Sequence, residues 1–99
     1  MKYVVSWENR PSLTEESVAR SLQVFGKWTP SETVTYGEFL SRMDGNGGFA
    51  VVETDDPSAI AKDIAPFGVW FEFTVYPVLE IADAVVIDTE AIEFQRSVS

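Results

Sequence analysis

The stretch Gly45-Asn46-Gly47-Gly48-Phe49-Ala50-Val51-Val52-Glu53-Thr54-Asp55-Asp56-Pro57 constrains this chain more than any other. It reads as a turn, a buried strand and a helix start in one continuous run. The glycines supply the positive φ angles that a tight turn needs. Phe49 to Val52 form a short apolar run of β type. Asp56 then Pro57 opens a helix, with a side-chain cap followed by a ring already set at helical φ.

The remaining elements arrange themselves around that run. Lys2 to Glu8 alternates, with Tyr3, Val5 and Trp7 on one face and Val4, Ser6 and Glu8 on the other, which predicts a half-buried strand. Ser12-Leu13-Thr14-Glu15 has the form of a capping box with Ser12 as the cap. Leu13, Val18, Leu22 and Phe25 follow at helical spacing, and Gly26 suits a stop. Trp28-Thr29-Pro30-Ser31 reads as a loop. Thr33 to Met43 is strand-like, but Val34 and Tyr36 are out of phase with Phe39 unless a β-bulge sits at Gly37. Asp44-Gly45-Asn46-Gly47 turns that strand into the Phe49–Thr54 strand. The second helix carries Ile60, Ala61 and Ile64 and ends near Ala65, before Pro66 and Gly68. Val69 to Leu79 is the last strand; Pro77 has no amide to donate, so the strand either ends there or lies on a sheet edge. Ile81, Val85 and Ile92 keep helical spacing through an acidic tail, as one helix or as two pieces divided near Asp88-Thr89.

The order strand, helix, strand, strand, helix, strand, with right-handed crossovers, predicts an α+β fold. It is a ferredoxin-like βαββαβ sandwich with a four-stranded antiparallel sheet over residues 1–79. Residues 80–99 form an acidic helical extension of the same domain. Two helices cover one face of such a sheet only. Both phases of the last strand carry large apolar groups, Phe71 and Phe73 on one and Trp70 and Tyr76 on the other, so the uncovered face needs a partner. A second copy related by a two-fold axis is the expected cover, giving a homodimer of the dimeric α/β-barrel type with a cavity between facing sheets. The competing arrangement folds the tail helix over that face within one chain.

Composition narrows the chemistry. The chain has 99 residues, no cysteine and no histidine, so it has no thiol nucleophile, no thiolate metal site and no imidazole base or ligand. No cofactor and no metal are expected. The opening Met1-Lys2-Tyr3-Val4-Val5-Ser6 is a strand pattern rather than a signal peptide, and no segment is long enough to span a bilayer, so a cytosolic location is expected. The net charge is −9, concentrated after residue 45, which makes nucleic acid and anionic membrane poor partners and serves solubility.

Three stretches resemble an uncharacterised bacterial family, DUF3303. They are Met1-Lys2-Tyr3-Val4-Val5-Ser6-Trp7, then Gly48-Phe49-Ala50-Val51-Val52-Glu53-Thr54-Asp55-Asp56-Pro57, then Phe71-Glu72-Phe73-Thr74-Val75-Tyr76-Pro77-Val78-Leu79. The resemblance implies a fold similar to dimeric α/β-barrel proteins, among them small monooxygenases, lactone isomerases and stress-response proteins, and it implies a dimer more than a reaction. An Arg-Trp-His run often ends the second strand in that family. Here the region reads Ser41-Arg42-Met43-Asp44, so an activity that uses that aromatic and histidine is not expected.

Candidate site residues follow from position. Glu53 ends the third strand in phase with Phe49 and Val51, where apolar neighbours would raise its pKa and suit it to acid–base work, or where it simply emerges at the strand end and pairs with Arg42. Glu8 and Glu72 would share a face, a weak arrangement for Mg²⁺ or Ca²⁺. Asp44-Gly45-Asn46-Gly47 lacks the ligands of a calcium loop, and the glycines precede a strand rather than a phosphate-binding helix. Trp7, Trp28, Tyr36, Trp70 and Tyr76 suit an amphipathic cavity, or serve as core and dimer contacts. The ligand-binding set is therefore Trp7, Tyr36, Arg42, Glu53, Trp70 and Tyr76, with Glu53 as the catalytic candidate. The leading function is binding of a small hydrophobic molecule by a homodimer. The alternatives are a cofactor-free enzyme, monooxygenase-like or isomerase-like, and an acidic domain that binds a basic protein through residues 80–96.

Overall fold

A computed structural model describes residues 1–99. The elements are β1 (Lys2–Asn9), α1 (Glu15–Lys27), β2 (Thr35–Ser41), β3 (Gly47–Glu53), α2 (Pro57–Ile64) with a 3₁₀ turn at Ala65–Phe67, β4 (Phe71–Val78) and α3 (Ile81–Ser97). One antiparallel four-stranded sheet has the order β2-β3-β1-β4. This is the ferredoxin-like βαββαβ arrangement, followed by one uninterrupted tail helix. The edge position of β4 accommodates Pro77.

The β2–β3 register shifts between Tyr36 and Phe39, so Gly37-Glu38 is the bulge that puts both aromatic rings on one side. The hairpin turns at Gly45 (φ 75°) and Gly47 (φ 152°). At Gly47 a Cβ would lie 1.9 Å from the Trp7 carbonyl oxygen, so only glycine fits where β3 meets β1.

The helix starts differ from the capping patterns read in the sequence. Thr14, not Ser12, caps α1: its hydroxyl accepts from the Ser17 N–H at 3.1 Å. Thr14 lies directly before the first helical residue, and Leu13 stays outside the helix. Asp56 precedes Pro57 as expected but makes no side-chain cap to the backbone. Its carboxylate instead accepts from the Ser58 hydroxyl. The Thr54 hydroxyl shapes the approach to α2, accepting from the Asp56 N–H at 3.0 Å and donating to the Thr33 carbonyl at 2.8 Å.

The core joins α2 to the sheet through Tyr3, Val5, Val34, Ala50, Val52, Ala59 and Ile60. Val52 and Ile60 are sealed from solvent, and burying each such side chain stabilises by about 1.5–3 kcal/mol. The register puts Tyr3, Val5 and Trp7 beside Ala50, Gly48 and Phe73 on the helix-covered face. The other face, carrying Val4, Phe49, Val51 and Tyr76, has no helix over it. Helix α3 has no buried residue and does not fold over its own sheet, contrary to the one-chain alternative. Only 13 of 99 residues are buried.

Candidate functional site

The helix stripe of Leu22 and Phe25 is turned toward the sheet, where Phe25 meets Phe39 of β2 edge-on at 6.0 Å between centroids, but most of α1 stays open to solvent. Of the thirteen residues of α1, only Ser21 is buried. Large rings prop the layers apart. Phe25 stacks on Trp28 at 5.7 Å between centroids, and Trp28 meets Phe67 edge-on at 5.7 Å and Tyr36 edge-on at 5.6 Å. Trp7 meets Phe39 edge-on at 5.6 Å. Such edge-to-face pairs match the ring quadrupoles and hold the rings in fixed orientations.

The space left is a cavity of about 330 Å³. Its floor is the sheet, through Val5, Trp7, Tyr36, Phe39, Ser41, Ala50, Phe71 and Phe73. Its roof is Ser21, Leu22 and Phe25 of α1, and Trp28, Ile64 and Phe67 close one end. Twelve of the fourteen lining residues are hydrophobic. Gly48 lets the Trp7 ring lie flat in this floor, because a Cβ there would sit 2.4 Å from the Trp7 ring and 2.3 Å from the Leu40 carbonyl oxygen.

The polar atoms nearest the cavity are already engaged. Asp63, buried on α2, accepts at one carboxylate oxygen from the Ser31 N–H (2.9 Å) and the Ser31 hydroxyl (2.6 Å), and at the other from the Tyr36 hydroxyl (2.9 Å). The Trp28 indole N–H donates to the Asp63 carbonyl at 3.0 Å. Burial, and then donation to the Asp63 carboxylate, push the Tyr36 phenol far above its ordinary value, so it stays protonated. The Ser21 hydroxyl donates to the Val18 carbonyl within its own helix.

The six residues of the sequence-read ligand set do not come together. Trp7 and Tyr36 line the cavity. Trp70 is half-buried in the turn before β4, outside it. Tyr76 and Glu53 project from the opposite face of the sheet. Glu53 is exposed and is not paired with Arg42. It stands at the end of β3, away from the residues that line the cavity. Arg42 lies at the other end of the strands, bonded to Glu8 at 3.4 Å and to Asp44. The Asn46 N–H, with Arg42, holds the Asp44 carboxyl below its usual range. Glu8 and Glu72 are opposite each other across β1 and β4, and no group of three or more carboxylates is gathered to hold a metal ion.

Residues 1–92 match a domain of unknown function, DUF3303. The chain belongs to that family. No curated protein and no solved structure matches it, and the function of DUF3303 is not established. No helix of this DUF3303 chain is long and apolar enough to cross a membrane.

Trp28 lines the cavity as one of the aromatics whose polar handles suit such a site, and Phe71 and Phe73 bring one face of the last strand to it; Phe25, Phe39 and Phe67 join them from outside the candidate set. Asp63 was also missed. The signal for it was a carboxylate on the inner side of an otherwise apolar helix, between Ile60 and Ile64, where a buried acid needs donors from elsewhere in the fold.

Proposed function

We propose that this protein binds a small, uncharged molecule with aromatic character in the cavity beneath α1, and that it does so as a homodimer. The supporting observation is a ring-lined cavity of about 330 Å³ whose polar neighbours are all hydrogen-bonded within the protein. Cavities of roughly 150 Å³ lined by apolar side chains accept benzene, so this one has room for two fused rings. A charged ligand would lose its hydration against these walls with nothing to replace it. The binding cavity then lies on the helix side of the sheet rather than between two facing sheets, and the open face is left for the second copy. Within this cavity the enzymatic alternative would rest on Tyr36, whose hydroxyl is committed to Asp63. A cytosolic setting is part of this reading.

Calorimetric titration with naphthalene and with indole tests it. Saturable binding of one molecule per chain, lost when the mouth is plugged by Leu22→Trp, is the expected result. No heat and no change in tryptophan fluorescence up to the solubility limit of either probe overturns it.

A further inference from the structure

Two surfaces of this chain have nothing to pack on. The first is the open face of the sheet. Val4 stands opposite both Val51 and Tyr76, and Leu40 stands opposite Phe49, so these side chains form an apolar band across all four strands. Leu40, Phe49 and Tyr76 are each about half exposed or a little less. The second is α3, in which Ile81, Val85, Ile87, Ile92 and Phe94 are 46–79% exposed. Helical spacing puts Ala84 and Ala91 on a central row, with Ile87 and Phe94 along one flank and Ile81, Val85 and Ile92 along the other. Small residues between two larger flanks let a helix axis come close to a protein surface. Asp83, Glu90 and Glu93 lie outside this face together with Val86, and Gln95 falls beside the alanine row.

The shape of the chain says that this helix is undocked. A compact chain of this length has a radius of gyration of about 13 Å, whereas here it is 17.8 Å, with a longest extent of 62 Å. A lone helix of seventeen residues is marginal in water without packing. Only Leu79 and Glu80 join it to β4, and Lys2 of β1 pairs with Glu80, fixing its departure from the sheet.

We infer that α3 is an exchanged arm that covers the open sheet face of a second copy of this chain, while the second copy's arm covers the first. This rests on the homodimer reading above and names the segment that makes it. Sizes agree. A seventeen-residue helix is about 26 Å long and about 10 Å thick, so half its surface offers roughly 400 Å². Four strands at about 4.8 Å spacing and seven or eight residues long present a face of about the same length. Each copy would give one arm and receive one, contributing about 800 Å², the value typical of a stable interface. Asp88 is the one charge within the arm's apolar face; at the margins of the open face Lys2 pairs with Glu80 and Arg42 with Glu8 and Asp44. The acids on the arm's outer side disfavour an anionic membrane as the alternative cover.

Because the chain has no cysteine, single thiols give a clean test in the full-length protein. One chain carries Ser6→Cys, at the centre of the open face, and an isotopically heavy chain carries Ala91→Cys, on the arm. They are mixed, allowed to exchange and treated with a short bismaleimide. The expected product is a mixed covalent dimer, with little product from either variant alone. Cross-linking of the Ser6→Cys chain to itself would mean that sheet packs on sheet, and overturns the arm while leaving a dimer. A doubly substituted chain that links only within itself, or a monomer by light scattering, overturns it as well. The variant I87S/F94S should weaken dimerisation at least tenfold with an unchanged fold, since neither side chain is buried in its own chain; unchanged dimerisation refutes the inference. Naphthalene titration of the same samples reports on the cavity independently, so failure of the arm and failure of the ligand reading are distinguishable.

Discussion

Replacing Tyr36 by Phe removes one hydroxyl from the wall of the cavity and one of the three bonds to the Asp63 carboxylate. The lost bond runs from a phenol to a carboxylate at 2.9 Å, and bonds to charged groups contribute about 1.5–3 kcal/mol. Asp63 keeps two donors from Ser31, so the carboxylate is not orphaned and the loss should fall near the middle, about 2 kcal/mol. For a domain of this size that lowers the melting temperature by about 10 °C. The pH dependence is more diagnostic. The folded protein holds the Tyr36 proton far more tightly than the unfolded chain, whose tyrosine titrates near pH 10. Below that pH both states keep the proton and the stabilisation is complete. Above it the unfolded chain binds one proton fewer, so stability falls by up to about 1.4 kcal/mol per pH unit. Urea unfolding at fixed protein concentration, followed by tryptophan fluorescence between pH 8 and 11, measures both effects. The Tyr36→Phe protein should lose the stability at pH 8 and show a shallower alkaline decline. A loss below about 0.5 kcal/mol with the full alkaline slope retained would refute the assignment of Tyr36 to Asp63.

Gly48→Ala should cost about 1–3 kcal/mol, because the new methyl group meets both the Trp7 ring and the Leu40 carbonyl; a blue or red shift of Trp7 emission and weaker naphthalene binding should accompany it in the folded protein. Arg42→Ala and Glu53→Gln should leave naphthalene affinity within a factor of two, since neither side chain reaches the cavity, and Arg42→Ala should alter stability by less than about 1 kcal/mol as an exposed ion pair does. A tenfold affinity change in either would return these residues to the site.

The topology was legible because its signals are local. Alternation in Lys2–Glu8, the slipped phase around Gly37, the Asp44–Gly47 turn and Asp56-Pro57 each report on a few neighbouring residues. The site was less legible because it is made by what does not touch. Leu22 and Phe25 have core spacing, and nothing in that spacing says that they stay largely exposed beside a ring cluster with Trp28 and Phe67. Tyr76 and Tyr36 look alike in sequence, yet a bulge and a strand register put them on opposite faces. Asp63 shows the same limit: its donors come from Ser31 and Tyr36, about thirty positions earlier, and only the fold brings them to it. Thr14 displaced Ser12 as the cap because both offer a hydroxyl and the choice depends on where the preceding loop leaves the strand.

The loose seating of α1 sets a hierarchy of local stability. Its backbone hydrogen bonds are intact, but little apolar surface ties it down, whereas β3 is sandwiched between β1, β2 and α2. Amide hydrogens of α1 should therefore exchange through small openings well below the global unfolding free energy, while those of β3 wait for the whole domain to open. The indole of Trp28, bonded to α2, tethers only the last turn, so fraying should begin at Glu15 and stop short of Lys27. A guest that fills the space beneath would slow exchange across α1 and leave β3 nearly unchanged.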